Sequence, residues 1–170
     1  MKQALCIIFA VLQCFSFAGC ENRQDFQSPI TYYYPSAEID YGNTDGIIAP
    51  EIREATGHEE DLTYLINQYL AGPQSAEFQS PFPAGTTVEN LELFKTKINI
   101  VLSPQFAQLN DHKLTIACTC LTKTLLDMAD VRSVTISIKD TLISGEPYIT
   151  MTNDDFVFTD SNEYIPDDAQ

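Results

Sequence analysis

The hydrophobic pattern divides the chain into an apolar leader, an alternating body and an acidic end. Residues 4–17 carry no charge, and 21–29 is polar and reads as a tether. ITYYYPS at 30–36 predicts a first strand, and 47–53 a second that Pro50 weakens. Leu62, Leu65, Ile66, Tyr69 and Leu70 share one helical face. Thr56 and Glu59 have capping-box spacing before it, Glu59, Glu60 and Asp61 fill an acidic first turn, and Gly72-Pro73 stops it. Segments 86–94 and 97–102 predict a hairpin about Lys95-Thr96, with Ile98, Ile100 and Leu102 on one face. Leu114, Ala117, Cys118, Leu121, Leu125 and Met128 predict a second helix over 111–128, capped by Asn110 or Asp111. In 133–139, Val134, Ile136 and Ile138 alternate with Ser133, Thr135 and Ser137, and 148–151 adds a short strand. From Thr159 the chain is an acidic tail.

The order strand, helix, hairpin, helix, strand predicts an α+β two-layer sandwich, a small mixed sheet with both helices on one face. The boundaries that follow are a leader at 1–19, a tether at 20–29, one domain at 30–158 and a tail at 159–170.

Charge narrows the partners. The formal net charge is −15 over 170 residues, from nine Lys and Arg against 24 Asp and Glu. Such a surface repels nucleic acid, which is excluded as a partner, and repels anionic lipid headgroups, so any membrane link must come from lipid. The same charge opposes self-association at low salt and predicts a monomer in isolation. Of the five cysteines, Cys6 and Cys14 fall in the leader and Cys20 at its end. Only Cys118 and Cys120 remain, so the chain is not a disulfide scaffold.

Lys2, the uncharged stretch behind it and the small pair Ala18-Gly19 have the features of a secretory signal peptide. A transmembrane anchor does not fit, because Gln13, Ser16, Gly19 and then Glu21, Asn22 and Arg23 interrupt the run short of about 20 apolar residues. FAGC at 17–20 resembles the bacterial lipobox. That resemblance implies diacylation of Cys20 on sulfur, with Cys20 as the mature N-terminus at the outer face of the bacterial cytoplasmic membrane. Two acyl chains give the stable anchoring that one does not. The alternative is an ordinary signal peptide in which the cysteine is incidental.

Five stretches, in order, resemble the GerMN domain of bacterial sporulation and germination proteins and lipoproteins. They are TYYYPSAE, LINQYLAGP, PFPAGTTVENLELFKTKINIVLSPQF, LTIACTCLTKTLLDMADVRSVTISI and FVFTD. The chain departs from the family pattern at Cys118 and Cys120, where Ala or Ser is usual. The resemblance implies an extracytoplasmic module without enzymatic activity that assembles with membrane-proximal envelope or sporulation proteins.

Cys118 and Cys120 form a CxC pair, but two residues along a helix means about 200° of rotation, so neither a mutual disulfide nor a shared metal is expected. Cys118 reads as a small buried hydrophobe. His58 and His112 sit before and within helix starts and lack the clustered ligands a metal needs. YGNTDG at 41–46 hints at a calcium loop, yet Tyr41 and Ile52 occupy ligand positions, so it reads as a β-turn. Glu59-Glu60-Asp61 are adjacent and do not face one another across a sugar, and NDDF at 153–156 reads as a turn. No G-x-S-x-G, H-E-x-x-H or phosphate-binding glycine loop is present. The expectation is therefore no catalytic residue, no cofactor and no metal, with Cys20 as the one site. A second reading is a lipoprotein that recognises cell-wall fragments or germinants, with Tyr32, Tyr33 and Tyr34 stacking on a sugar. A third is a cell-wall hydrolase or its inhibitor, which needs paired carboxylates in a cleft.

Overall fold

Six strands form two separate sheets around a long central helix, in a computed structural model that describes residues 29–38, 47–55 and 57–155. The leader, Cys20, YGNTDG, FVFTD and the acidic tail lie outside the described residues.

Strand β1 (Ile30–Pro35) pairs antiparallel with β2 (Ile48–Arg53), with Tyr33 opposite Pro50. Both strands of a two-stranded sheet are edges, so the missing N–H of Pro50 is tolerated. Helix α1 (Leu62–Leu70) buries the predicted face of Leu62, Leu65, Ile66, Tyr69 and Leu70. Its start differs from the expected capping box. Asp61, not Thr56, is the N-cap, its carboxylate accepting from the Tyr64 N–H at 2.9 Å, and no acid stands in the first turn. The reason is local: Asp61 lies directly before the apolar stripe, while Glu59 folds back to accept from the Gly57 N–H at 3.0 Å. Gly72 ends the helix with φ of +112°, which favours glycine.

Strands β3 (Val88–Phe94) and β4 (Lys97–Leu102) form the predicted hairpin, with Phe94 paired to Lys97 and Lys95 at φ of +55°. A 3-10 turn (Pro104–Gln108) leads to α2 (Asp111–Ala129), which crosses back to β5 (Ser133–Ile138). This crossover is what lets β4 and β5 pair in parallel. β6 (Ile149–Thr152) closes the mixed sheet in the order β3-β4-β5-β6.

The expected α+β class and mixed sheet are present, with β1 and β2 held apart as a sheet of their own. Helix α2 packs against β5 and β6 on one side and against β1 on the other. Its middle is therefore enclosed, and Ala117 through Thr122 are all buried. Ile98, Ile100, Leu102, Val134 and Ile136 fill the core beneath it. The opposite face of the mixed sheet is polar, and there the Thr135 and Thr150 hydroxyls lie 3.0 Å apart in a hydrogen bond.

Candidate functional site

The aromatic strand β1 and the charged strand β2 build a polar, hydrogen-bonded interior against α1. Tyr32 and Tyr34 point inward and keep 2% and 0% exposure. Their hydroxyls donate to the carbonyls of Leu65 (3.2 Å) and Tyr69 (2.7 Å) on α1. Tyr69 in turn donates to the Tyr33 carbonyl at 2.6 Å and stacks on Tyr32 with ring centroids 5.3 Å apart. Burial pushes the phenols of Tyr32, Tyr34 and Tyr69 above the ordinary tyrosine range. Two of the three rings considered for sugar stacking are thus core side chains. Tyr33 faces the other way, where its hydroxyl meets the Asp127 carboxylate at 2.6 Å and Lys123 lies over its ring.

Glu51 and Arg53 lie beside these rings and form a buried ion pair that the sequence reading did not single out. Arg53 donates from Nε to Glu51 at 2.6 Å and from a terminal nitrogen to the Gly72 carbonyl at 2.8 Å and the Tyr34 hydroxyl at 3.1 Å. Its guanidinium also lies over the Tyr32 and Tyr34 rings. The other Glu51 oxygen accepts from the backbone N–H groups of Gln74 and Ser75 at 2.8 and 2.7 Å. Every partner is internal, so the pair locks β2 to the loop after α1. Opposite charges two residues apart in a strand share a face, but nothing in the sequence marks that face as the buried one; in the structure it is Ile52 between them that is exposed, at 67%.

A cleft of about 390 Å³ opens between the segment Gln79–Pro83 and the start of α2, with Phe82, Leu109, His112 and Lys113 on its walls. This places His112 on a partly apolar surface. His58 instead stacks on Tyr64 with centroids 3.7 Å apart. Among the described residues no group of His, Cys, Asp and Glu has the arrangement to hold a metal ion. Hydrogen bonds from backbone N–H groups to Glu59 hold its carboxyl below the usual range. In the expected turn at 153–156, residues Asn153–Asp155 form a 3-10 turn in which Asp155 accepts from the Thr152 N–H at 2.6 Å.

Cys118 and Cys120 are both free thiols and both buried. Burial alone pushes Cys118 up to about 12, and Cys120 is raised further with the neighbouring Cys118 contributing. Thiols held in the neutral form are poor nucleophiles and poor metal ligands. Cys20, the predicted lipid site, lies outside the described residues; among the described residues no helix is long and apolar enough to cross a membrane.

A family model described as Germane, sporulation and spore germination, matches residues 31–143. Among solved structures, the first GerMN domain of the sporulation protein GerM from Bacillus subtilis is similar, with a TM-score of 0.52 at 18% identity over 69% of this chain and 89% of that one. The tandem GerMN domains of GerM from Bacillus subtilis give 0.54 at 16% identity over 78% of this chain and 47% of that one. The chain therefore spans about half the length of the tandem. No curated protein sequence matches it.

Proposed function

The chain belongs to the Germane family of sporulation and spore germination, and from that premise we propose that it is a lipid-anchored, extracytoplasmic domain without catalytic activity that mediates protein–protein assembly in the cell envelope or during sporulation and germination. The family match over 31–143 carries the reading. The site geometry supports it. The buried ion pair is engaged within the fold by Gly72 and the Gln74–Ser75 backbone, and the thiols are enclosed, so both sets of groups serve packing. Anchoring falls to Cys20, through the lipobox-like FAGC. Partners are then membrane-proximal, because the nine residues from Glu21 to Pro29 reach at most about 30 Å.

In-cell crosslinking of the tagged protein in its own host, with mass spectrometry of what co-purifies from membranes, tests both parts. A reproducible envelope or sporulation protein is the expected result, together with an intact mass that includes acyl chains on Cys20. An acylated protein with no protein partner would overturn assembly and send the search to glycan or germinant ligands. A mature chain without added lipid mass would overturn the anchor.

A further inference from the structure

The cations of this acidic chain are not spread evenly. Of the seven described Lys and Arg residues, Arg53, Lys123 and Lys139 pair with Glu51, Asp127 and Glu89. Lys113, at the start of α2, has no ion pair among the described residues. The other three, Lys95, Lys97 and Arg132, meet at one end of the mixed sheet, with no ion pair among the described residues. Lys97 faces Phe94 across the hairpin and Ser133 on β5, and the Arg132 N–H donates to the Thr96 carbonyl at 2.8 Å. Phe94 stands among them, 66% exposed, with the Lys95 ammonium 5.7 Å from its ring centroid. The nearest acids along the chain are Glu92, hydrogen-bonded to Asn90, and Asp130, at the end of α2.

The chain that leads back to Cys20 leaves from this same end. The Tyr33 N–H bonds to Thr124 and the Tyr33 hydroxyl to Asp127, whereas Pro35 shares the cleft with His112, Lys113 and Ile116. β1 therefore runs opposite to α2, and Ile30 lies toward the C-terminal end of α2. That end passes through Val131 to Arg132 and the hairpin tip.

We propose that the β3–β4 hairpin tip is a second membrane contact, with Phe94 entering the interface of an anionic bilayer and Lys95, Lys97 and Arg132 binding its headgroups. The inference rests on the anchored reading above. An exposed aromatic with one ammonium over its ring and two further cationic residues on the neighbouring backbone suits the headgroup boundary, where the ring sits in the interface and the charged groups stay with the phosphates. The overall charge of −15 does not forbid this, because acids more than about 8–10 Å from the tip are screened at physiological salt. The short tether keeps the tip at high effective concentration, so a weak contact suffices. Its consequence is an orientation: the sheet end points at the membrane and the cleft at the start of α2 faces away, toward partners.

The test uses the full lipidated chain carrying Phe94→Cys, labelled with a nitroxide, in phosphatidylcholine vesicles with and without phosphatidylglycerol. Cys118 and Cys120 are buried and Cys20 is acylated in the anchored reading, so the label goes to position 94. Leu142→Cys, on the exposed connection after β5 at the opposite end, is the control. We expect the position-94 label to be several-fold less accessible to a water-soluble relaxant on phosphatidylglycerol vesicles than on phosphatidylcholine alone. Lys95→Glu with Lys97→Glu should abolish that difference, while position 142 stays wet throughout. Flotation in the same samples separates the two readings. A chain that floats with position 94 as wet as position 142 overturns the tip contact alone. A chain that does not float overturns the anchor and the tip contact with it. Shielding that appears only when host membrane proteins are added overturns the lipid contact in favour of a protein one.

Discussion

Arg53 makes β2 an inverted strand: its charged residues face in and Ile52 faces water. Burying two ions is costly in itself, and geometry recovers the cost only when every polar atom finds a partner. Here Glu51 accepts from Arg53 and from two backbone N–H groups, and Arg53 donates to three kinds of acceptor. Removing one partner strands the other. Arg53→Met or Glu51→Leu alone should lower unfolding free energy by about 3–5 kcal/mol, and the double substitution should cost less than either. Urea denaturation of the three variants decides it, and an additive double variant would show that the two residues do not act as a pair. The tyrosines beside them were legible from sequence as alternating strand aromatics. The ion pair was not, because charge in a strand ordinarily signals the solvent face, and the acceptors that reverse this, Gly72 and the Gln74–Ser75 backbone, lie about 20 residues away in sequence.

The elements divide the same way, by whether their cause is local. Helix α1 was legible because its apolar stripe is periodic, yet its cap was misplaced: Thr56 and Glu59 fit the capping-box pattern upstream of the residue that caps. Asp61→Ala should therefore cost about 1 kcal/mol, and Thr56→Ala little, in thermal denaturation. Equal losses would restore the capping-box reading. Helix α2 was legible as a helix, but a single apolar face understated its burial, since β1 covers the side away from the mixed sheet. That covering strand comes some 80 residues earlier, and pairing at such distance leaves no periodic trace. It also explains why a threonine-rich helix is buried: Thr124 accepts from the Tyr33 N–H at 3.0 Å and joins helix to strand. Thr122 has no such partner; its hydroxyl is the one buried side-chain polar atom without a hydrogen bond among the described residues. An isosteric Thr122→Val should accordingly be neutral or raise stability by up to about 1 kcal/mol. A loss beyond about 1 kcal/mol would mean the hydroxyl is satisfied in solution. No sequence pattern marks which of these threonines is paired.

For the whole molecule, two charge balances make separate predictions. At neutral pH the −15 charge opposes close approach of copies, so light scattering of the delipidated chain at low salt should give a monomer, and a stable oligomer there would show an interface strong enough to overcome that repulsion. At alkaline pH the interior matters instead. Tyr32, Tyr34 and Tyr69 are held protonated above their ordinary value of 10.0, and Cys118 and Cys120 above 9.0, mainly by burial. The unfolded chain loses these protons at the ordinary values while the native chain keeps them. Above pH 9 the unfolded state thus binds fewer protons, and stability must fall as pH rises. Below that point both states hold the protons and the contribution is constant. Unfolding free energy from urea melts should be level with respect to these groups up to about pH 9, then decline, with Cys118 still contributing to the slope until about 12. Cys118→Ala with Cys120→Ala should delay the onset toward pH 10, where the tyrosines begin. An onset that stays at pH 9 in that variant would mean the thiols are not what the native fold keeps neutral, and that solvent reaches the space between α2 and its two sheets.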